Sequence, residues 1–160
     1  MKIEIERRFL LKSLPKEKPI EIIKIKQWYI KIDGIWERIR IEDSNINGRK
    51  IIHTIKTKLS PISSMEDEKT VSKKEFQKFI KQSKSDKNSK FISKKRYIYT
   101  DGKHKWEVDC FKQKCHIIIA EVELPKEDYL LELPTFIQKK LLMEVTGFKQ
   151  FSSRNLSNRI

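Results

Sequence analysis

The residues of this chain best able to do chemistry are charged side chains that alternate with apolar ones. In MKIEIERRFL, Glu4, Glu6 and Arg8 stand two apart, with Ile3 and Ile5 between them. Successive side chains of a strand point to opposite faces, so this spacing sets two carboxylates and a guanidinium in one row. The pattern returns along the chain. WERIRIE aligns Arg38, Arg40 and Glu42, HTIKTK aligns Lys56 with Lys58, and MEDEK aligns Glu66 with Glu68. KKRYIY aligns Lys94 with Arg96, KWEVD aligns Glu107 with Asp109, and AEVEL aligns Glu121 with Glu123.

A single such pair marks no more than the wet face of a half-exposed antiparallel strand. The aggregate says more, because acidic and basic rows fall on separate strands while the opposite faces are apolar. A sheet that closed into a barrel with its charged face inward would form a polar tunnel. Such an interior is costly unless it holds an ionic ligand. Lysines and arginines would hold phosphates there, arginine in bidentate fashion. Glutamates side by side repel one another unless cations sit between them, and hard oxygen donors suit Mg²⁺ or Mn²⁺. A triphosphate with a divalent metal satisfies both halves.

The elements that would position these rows are strands. Segments Lys2–Leu11, Ile23–Ile32, Ile35–Glu42, Lys50–Lys58, Met65–Val71, Phe91–Thr100, His104–Phe111 and His116–Leu124 have strand character. Short connections make them mostly antiparallel, with turns at Asp33-Gly34 and Asp101-Gly102. Helices are few. Ser72 followed by Glu75 predicts a capped helix start, with Phe76, Phe79 and Ile80 at helical spacing. A second helix is predicted over Thr135–Leu142 and a short one after Ser153. The fold class expected is α+β, mainly antiparallel β, with helices packed outside the sheet.

The chain has 160 residues, which fits a single domain spanning 1–160. Charged residues make up 36%, with 36 Lys+Arg against 22 Asp+Glu for a formal net charge of +14. That excess favours anionic partners. The run KKEFQKFIKQSKSDKNSK is a solvated helix face and loop, or an RNA or polyphosphate docking patch. No Gly-rich phosphate loop is present, so phosphate would have to be held by side chains. His53, His104 and His116 lack metal-ligand spacing. Cys110 and Cys115 could form one disulfide but show no CxxC pattern. Trp28, Trp36 and Trp106 suit barrel packing ahead of a base-stacking platform with the tyrosines, and Trp36, in the row of Arg38 and Arg40, is expected at the tunnel mouth within reach of a nucleoside. The start has no long apolar run and no later segment could span a bilayer, so a cytoplasmic protein without a membrane partner is expected.

EIERRFL resembles the ExExK signature that opens the CYTH superfamily, the triphosphate tunnel metalloenzymes. ERIRI, HTIK, MEDEKTVSKKEF, SKKRYIY, WEVD, AEVEL and EVTG follow in family order, and EVTGFKQFSSRNLS is similar to the end of short bacterial-type members. The resemblance implies a closed eight-stranded antiparallel β-barrel, a tunnel that binds a triphosphate inside. It places Glu4, Glu6, Glu66, Glu68, Glu107, Asp109, Glu121 and Glu123 as the metal-binding set. Arg8, Arg38, Arg40, Lys56, Lys58, Lys94 and Arg96 become phosphate contacts. Glu4, Glu6, Arg8, Glu121 and Glu123 become the catalytic group.

The implied activity is a Mg²⁺- or Mn²⁺-dependent triphosphatase acting on inorganic tripolyphosphate, then on nucleoside or thiamine triphosphates. An RNA 5′-triphosphate end, class IV adenylyl cyclase chemistry and non-catalytic polyanion binding are the alternatives. A monomer or homodimer is equally compatible. Three departures stand out: Arg8 replaces the signature Lys, Ser64 stands where many members carry Arg, and Cys110 follows WEVD where an acid is common.

Overall fold

The computed structural model describes residues 1–112 and 117–159. Ten strands and three short helices plus a 3-10 turn follow one another along them. The strands are β1 (Lys2–Leu11), β2 (Glu21–Ile32), β3 (Ile35–Ser44), β4 (Gly48–Lys58), β5 (Ser63–Thr70), β6 (Lys90–Thr100), β7 (Lys105–Phe111), β8 (Ile118–Glu123), β9 (Leu141–Glu144) and β10 (Asn158–Arg159). The helices are α1 (Lys73–Ser85), α2 (Thr135–Gln138) and α3 (Ser153–Leu156), with the 3-10 turn at Lys149–Phe151.

Every strand pair is antiparallel, and the order β6-β2-β3-β4-β5-β1-β8-β7 returns to β6, so eight strands close a barrel. Closure leaves no exposed edge in the ring. The β2–β3 hairpin turns on Asp33 and Gly34, both at positive φ (49° and 79°), which matches the twist of the flanking strands.

The barrel is packed on both sides of its wall. Outside, α1 lies over Ile30 and Ile39 through Phe79, and Trp28 meets Phe76 edge-on at 5.3 Å. The start of α1 is the expected capping box: Ser72 N–H donates to Glu75 Oε2 (2.8 Å) and Glu75 N–H donates to Ser72 Oγ (3.2 Å). A second outer core gathers Phe9, Leu11, Trp106, Val108, Val122 and Ile137 beneath the segment leading through α2.

The helix predicted over Thr135–Leu142 is a correction. Only Thr135–Gln138 is helical, and Leu141–Glu144 is a strand on β1. β5 covers β1 only at Lys2–Ile5, so the same edge at Phe9–Leu11 would carry unpaired backbone groups. β9 satisfies them, and that requirement outweighs the weak helical spacing. His116 and Cys115 lie outside the described residues, as does the disulfide contemplated between Cys110 and Cys115.

Candidate active site

The rows read from the sequence do face into the barrel, where strand register groups them into three clusters. The first joins β1, β5 and β4. Lys56 of β4 pairs in register with Glu66 of β5, which pairs with Lys2 of β1. Its ammonium lies 3.1 Å from Glu4, 3.6 Å from Glu6 and 4.0 Å from Glu66. Burial pushes the Glu6 carboxyl up to about 8, helped by the charge of Glu121. Burial and hydrogen bonding to Glu4 and Glu68 push Glu66 up to about 9. Burial opposes ionisation of Glu4 as well, yet hydrogen bonding to Glu66 and the Lys56 charge hold it at about 2. Lys56 itself is raised: burial works against its charge, and Glu6 and Glu4 prevail.

The second cluster joins β3 to β4 and β5. Arg38 donates to Thr54 Oγ1 (3.2 Å), and Thr54 donates to Glu68 (3.3 Å). Arg40 donates through Nε to Glu42 at 2.6 Å and reaches Glu68 at 3.6 Å. Arg38 Nε is buried and has no hydrogen-bond partner among the described residues, and neither has Oε1 of Gln27. A buried, unpaired guanidinium N–H is costly to the fold and is a ready donor to an anion.

The third cluster lies on β6 and β7. Asp109 is fully buried, with its oxygens 2.7 and 2.9 Å from Arg96 and 2.8 Å from Lys94. Arg96 also pairs with Glu107. Burial brings Lys94 down to about 8 against the attraction of Asp109. Asp109 stays well below the ordinary carboxylate range despite its burial, because Arg96 and Lys94 flank it.

Other predicted residues are placed differently. Arg8 is turned to Glu121 (3.1 Å) and to the carbonyl of Phe151 (2.8 Å). Glu121 remains low in spite of burial because Arg8 is beside it. Glu123 is half exposed at the barrel end and pairs with Lys2 at 2.9 Å. Lys58 is exposed at the residue level, and partial desolvation of its ammonium together with the Lys56 charge lowers it. Ser64 is buried between Glu4 and Lys58 in register.

Three features escaped the sequence. On β2 the pattern is inverted: Lys24 and Lys26 face out, while Ile23, Ile25, Gln27 and Tyr29 line the interior. These inward residues oppose Arg96, Lys94, Arg40 and Arg38 respectively. Trp36 does not stand free at a mouth; it packs at the end closed by α3, with the Arg154 guanidinium 5.0 Å from its ring. Finally, carboxylates outnumber Lys and Arg among the predicted tunnel rows, so the net charge of +14 is carried elsewhere, by residues such as Lys24, Lys26 and the α1 lysines.

Among the described residues, no three His, Cys, Asp or Glu side chains already stand as a metal-ligand cluster. Glu4, Glu6 and Glu66 nevertheless fit a hard divalent cation in chemistry: three carboxylates converge on one cationic point, now Lys56. No helix among the described residues is long and apolar enough to cross a membrane.

The structure is a closed antiparallel barrel lined by opposed acidic and basic rows, with helices outside. No protein-family model matches the chain, and no curated protein matches it. Solved structures do match. The inorganic triphosphatase NE1496 is similar with a TM-score of 0.62 at 21% identity, over 100% of this chain and 97% of that one. Another NE1496 structure, described as a hypothetical protein, gives 0.61 at 23% identity over 98% and 99%. PH1012 from Pyrococcus horikoshii OT3 gives 0.54 at 18% identity over 78% and 81%. These likenesses establish the fold that the CYTH resemblance implied.

Proposed function

We propose that this chain is a divalent-metal-dependent triphosphatase that hydrolyses the terminal anhydride of a short triphosphate, with inorganic tripolyphosphate as the favoured substrate. One observation carries the reading: carboxylates of β1 and β5 converge on Lys56 while Arg38, opposite β2, keeps an unpaired buried N–H. An anion binder would gain nothing from so many inward carboxylates; a metal-assisted hydrolase needs both sets.

Arg38 and Arg40 project from β3 and Arg96 from β6, so guanidinium groups reach the lumen from strands on both sides of β2. They would grip phosphate oxygens and stabilise the charge that develops during transfer. Lys94 and Arg96 are fixed by Asp109, which holds their geometry at little reorganisation cost. Glu4, Glu6 and Glu66 are the residues that would hold Mg²⁺ or Mn²⁺. That ion would supply neutralisation of phosphate oxygens and a more acidic water. A carboxylate of the same cluster, ionised when the cation is held, would be suited to orient a water and accept its proton. Lys56 would then contact phosphate instead of the carboxylates.

The test is phosphate release from tripolyphosphate, ATP, thiamine triphosphate and a 5′-triphosphorylated RNA, each with Mg²⁺, Mn²⁺ or EDTA. Release from tripolyphosphate that EDTA abolishes supports the reading. Tight triphosphate binding without release from any of the four would instead make the chain a binding protein.

A further inference from the structure

The barrel is closed at one end by its own chain, so a ligand longer than the lumen must leave by the other. Tyr29, Ile92, Phe111 and Ile119 point inward from four strands and pack with Leu156 of α3. Lys94 Nζ reaches Ser153 Oγ (3.3 Å), so the closing segment is tied to the tunnel wall.

At the opposite end lies a cavity of about 400 Å³ whose walls include Glu107 and Glu123, members of the tunnel rows. Lys103, His104, Lys105 and Tyr129 complete the part that matters here. Lys105 stands two residues before Glu107 on β7, in the same inward row. The acidic members are already neutralised, Glu107 by Arg96 and Glu123 by Lys2. His104 is held by Asp101 at Nδ1 (3.1 Å) and by the Tyr129 hydroxyl at Nε2 (2.9 Å). Lys103 and Lys105 are exposed, and neither has an ion-pair partner among the described residues. The cavity therefore presents two exposed ammonium groups beside the tunnel mouth, Lys105 being drawn on only at longer range by Glu21.

We propose that this cavity receives the phosphates of a linear polyphosphate beyond the three held in the tunnel, with Lys103 and Lys105 as their counter-charges. The inference rests on the triphosphatase reading and extends it to chains of four or more phosphates. A nucleoside is less well served. The Tyr129 ring already meets His104 edge-on at 5.5 Å, so part of its surface is taken.

Calorimetric binding of tripolyphosphate, tetrapolyphosphate and ATP in Mg²⁺, with phosphate release measured in parallel, tests it. Wild-type protein is compared with the Lys103→Ala, Lys105→Ala double variant, whose changes lie outside the tunnel clamps. Tetrapolyphosphate binding falls roughly tenfold in the double variant, as expected for two exposed charge contacts, while tripolyphosphate binding is unchanged. The difference shrinks at high salt. Unchanged tetrapolyphosphate affinity, or an equal loss for tripolyphosphate or ATP, overturns the proposal. Absence of phosphate release from every chain removes the hydrolase reading, while the binding comparison still decides the cavity.

Discussion

The Lys56 ammonium lies 3.1 Å from the Glu4 carboxylate, so a base on β4 is neutralised by an acid on β1 across the intervening β5. Lys56 is thus both internal counter-ion and candidate phosphate contact. In a Lys56→Ala variant the carboxylates lose that cation. Mn²⁺ binding, followed by electron paramagnetic resonance, is expected to tighten, while tripolyphosphate affinity falls about tenfold or more. Weakening of both ligands together would show that Lys56 does not compete with the metal.

Glu6 separates catalysis from folding. Burial raises its carboxyl to about 8 while no cation is held, so glutamine is a close replacement in shape for the fold but could not serve as an anionic ligand. Glu6→Gln is expected to keep its melting temperature within a few degrees while turnover drops on the order of a hundredfold. Full activity in the folded variant would remove Glu6 from the site.

Asp109 is expected to behave in the opposite way. It is the shared partner of two buried cations, Arg96 and Lys94. Asp109→Ala leaves Lys94 without its ion-pair partner and Arg96 with Glu107 alone, and should cost about 3–5 kcal/mol in a denaturant titration. A cost below about 1 kcal/mol would mean that the two cations find other partners.

The outer packing of α1 offers two graded changes. Phe79→Ala removes a buried ring from the cluster with Ile30 and Ile39 and should cost about 3–5 kcal/mol. Ser72→Ala removes one half of the capping box and should cost about 1 kcal/mol. Phosphate release would change little in either while the protein is folded, because both lie outside the barrel.

Asp101 is a source of acid-dependent stability outside the candidate site. Asp101 is held at about 2, against its own burial, by the backbone N–H groups of His104 and Lys103 and by Trp106. Its folded pKa lies below the unfolded value of about 4, so its contribution is complete above pH 4 and lost as pH falls towards 2. In Asp101→Asn, the melting temperature should be lower at pH 5 and should decline less between pH 4 and pH 2. Parallel curves for the two proteins would exclude Asp101 as the source.

Local pattern alone carried much of the architecture. Alternation on β1, β3 and β8 set Glu4 and Glu6, Arg38 and Arg40, and Glu121 and Glu123 in rows, because a pleated strand has a period of two whatever surrounds it. Asp33-Gly34 specified its hairpin and Ser72 with Glu75 its helix start, since both act within four residues. Tertiary structure decided the rest. The inverted face of β2 depends on which side of the wall its neighbours fill, and β9 forms because β5 leaves part of β1 unpaired. The meeting of Lys56 with Glu4 joins residues 52 positions apart. Sequence spacing can place a charge on a face, but only barrel closure and register determine which charges across the lumen share a partner, and so which remain for a ligand.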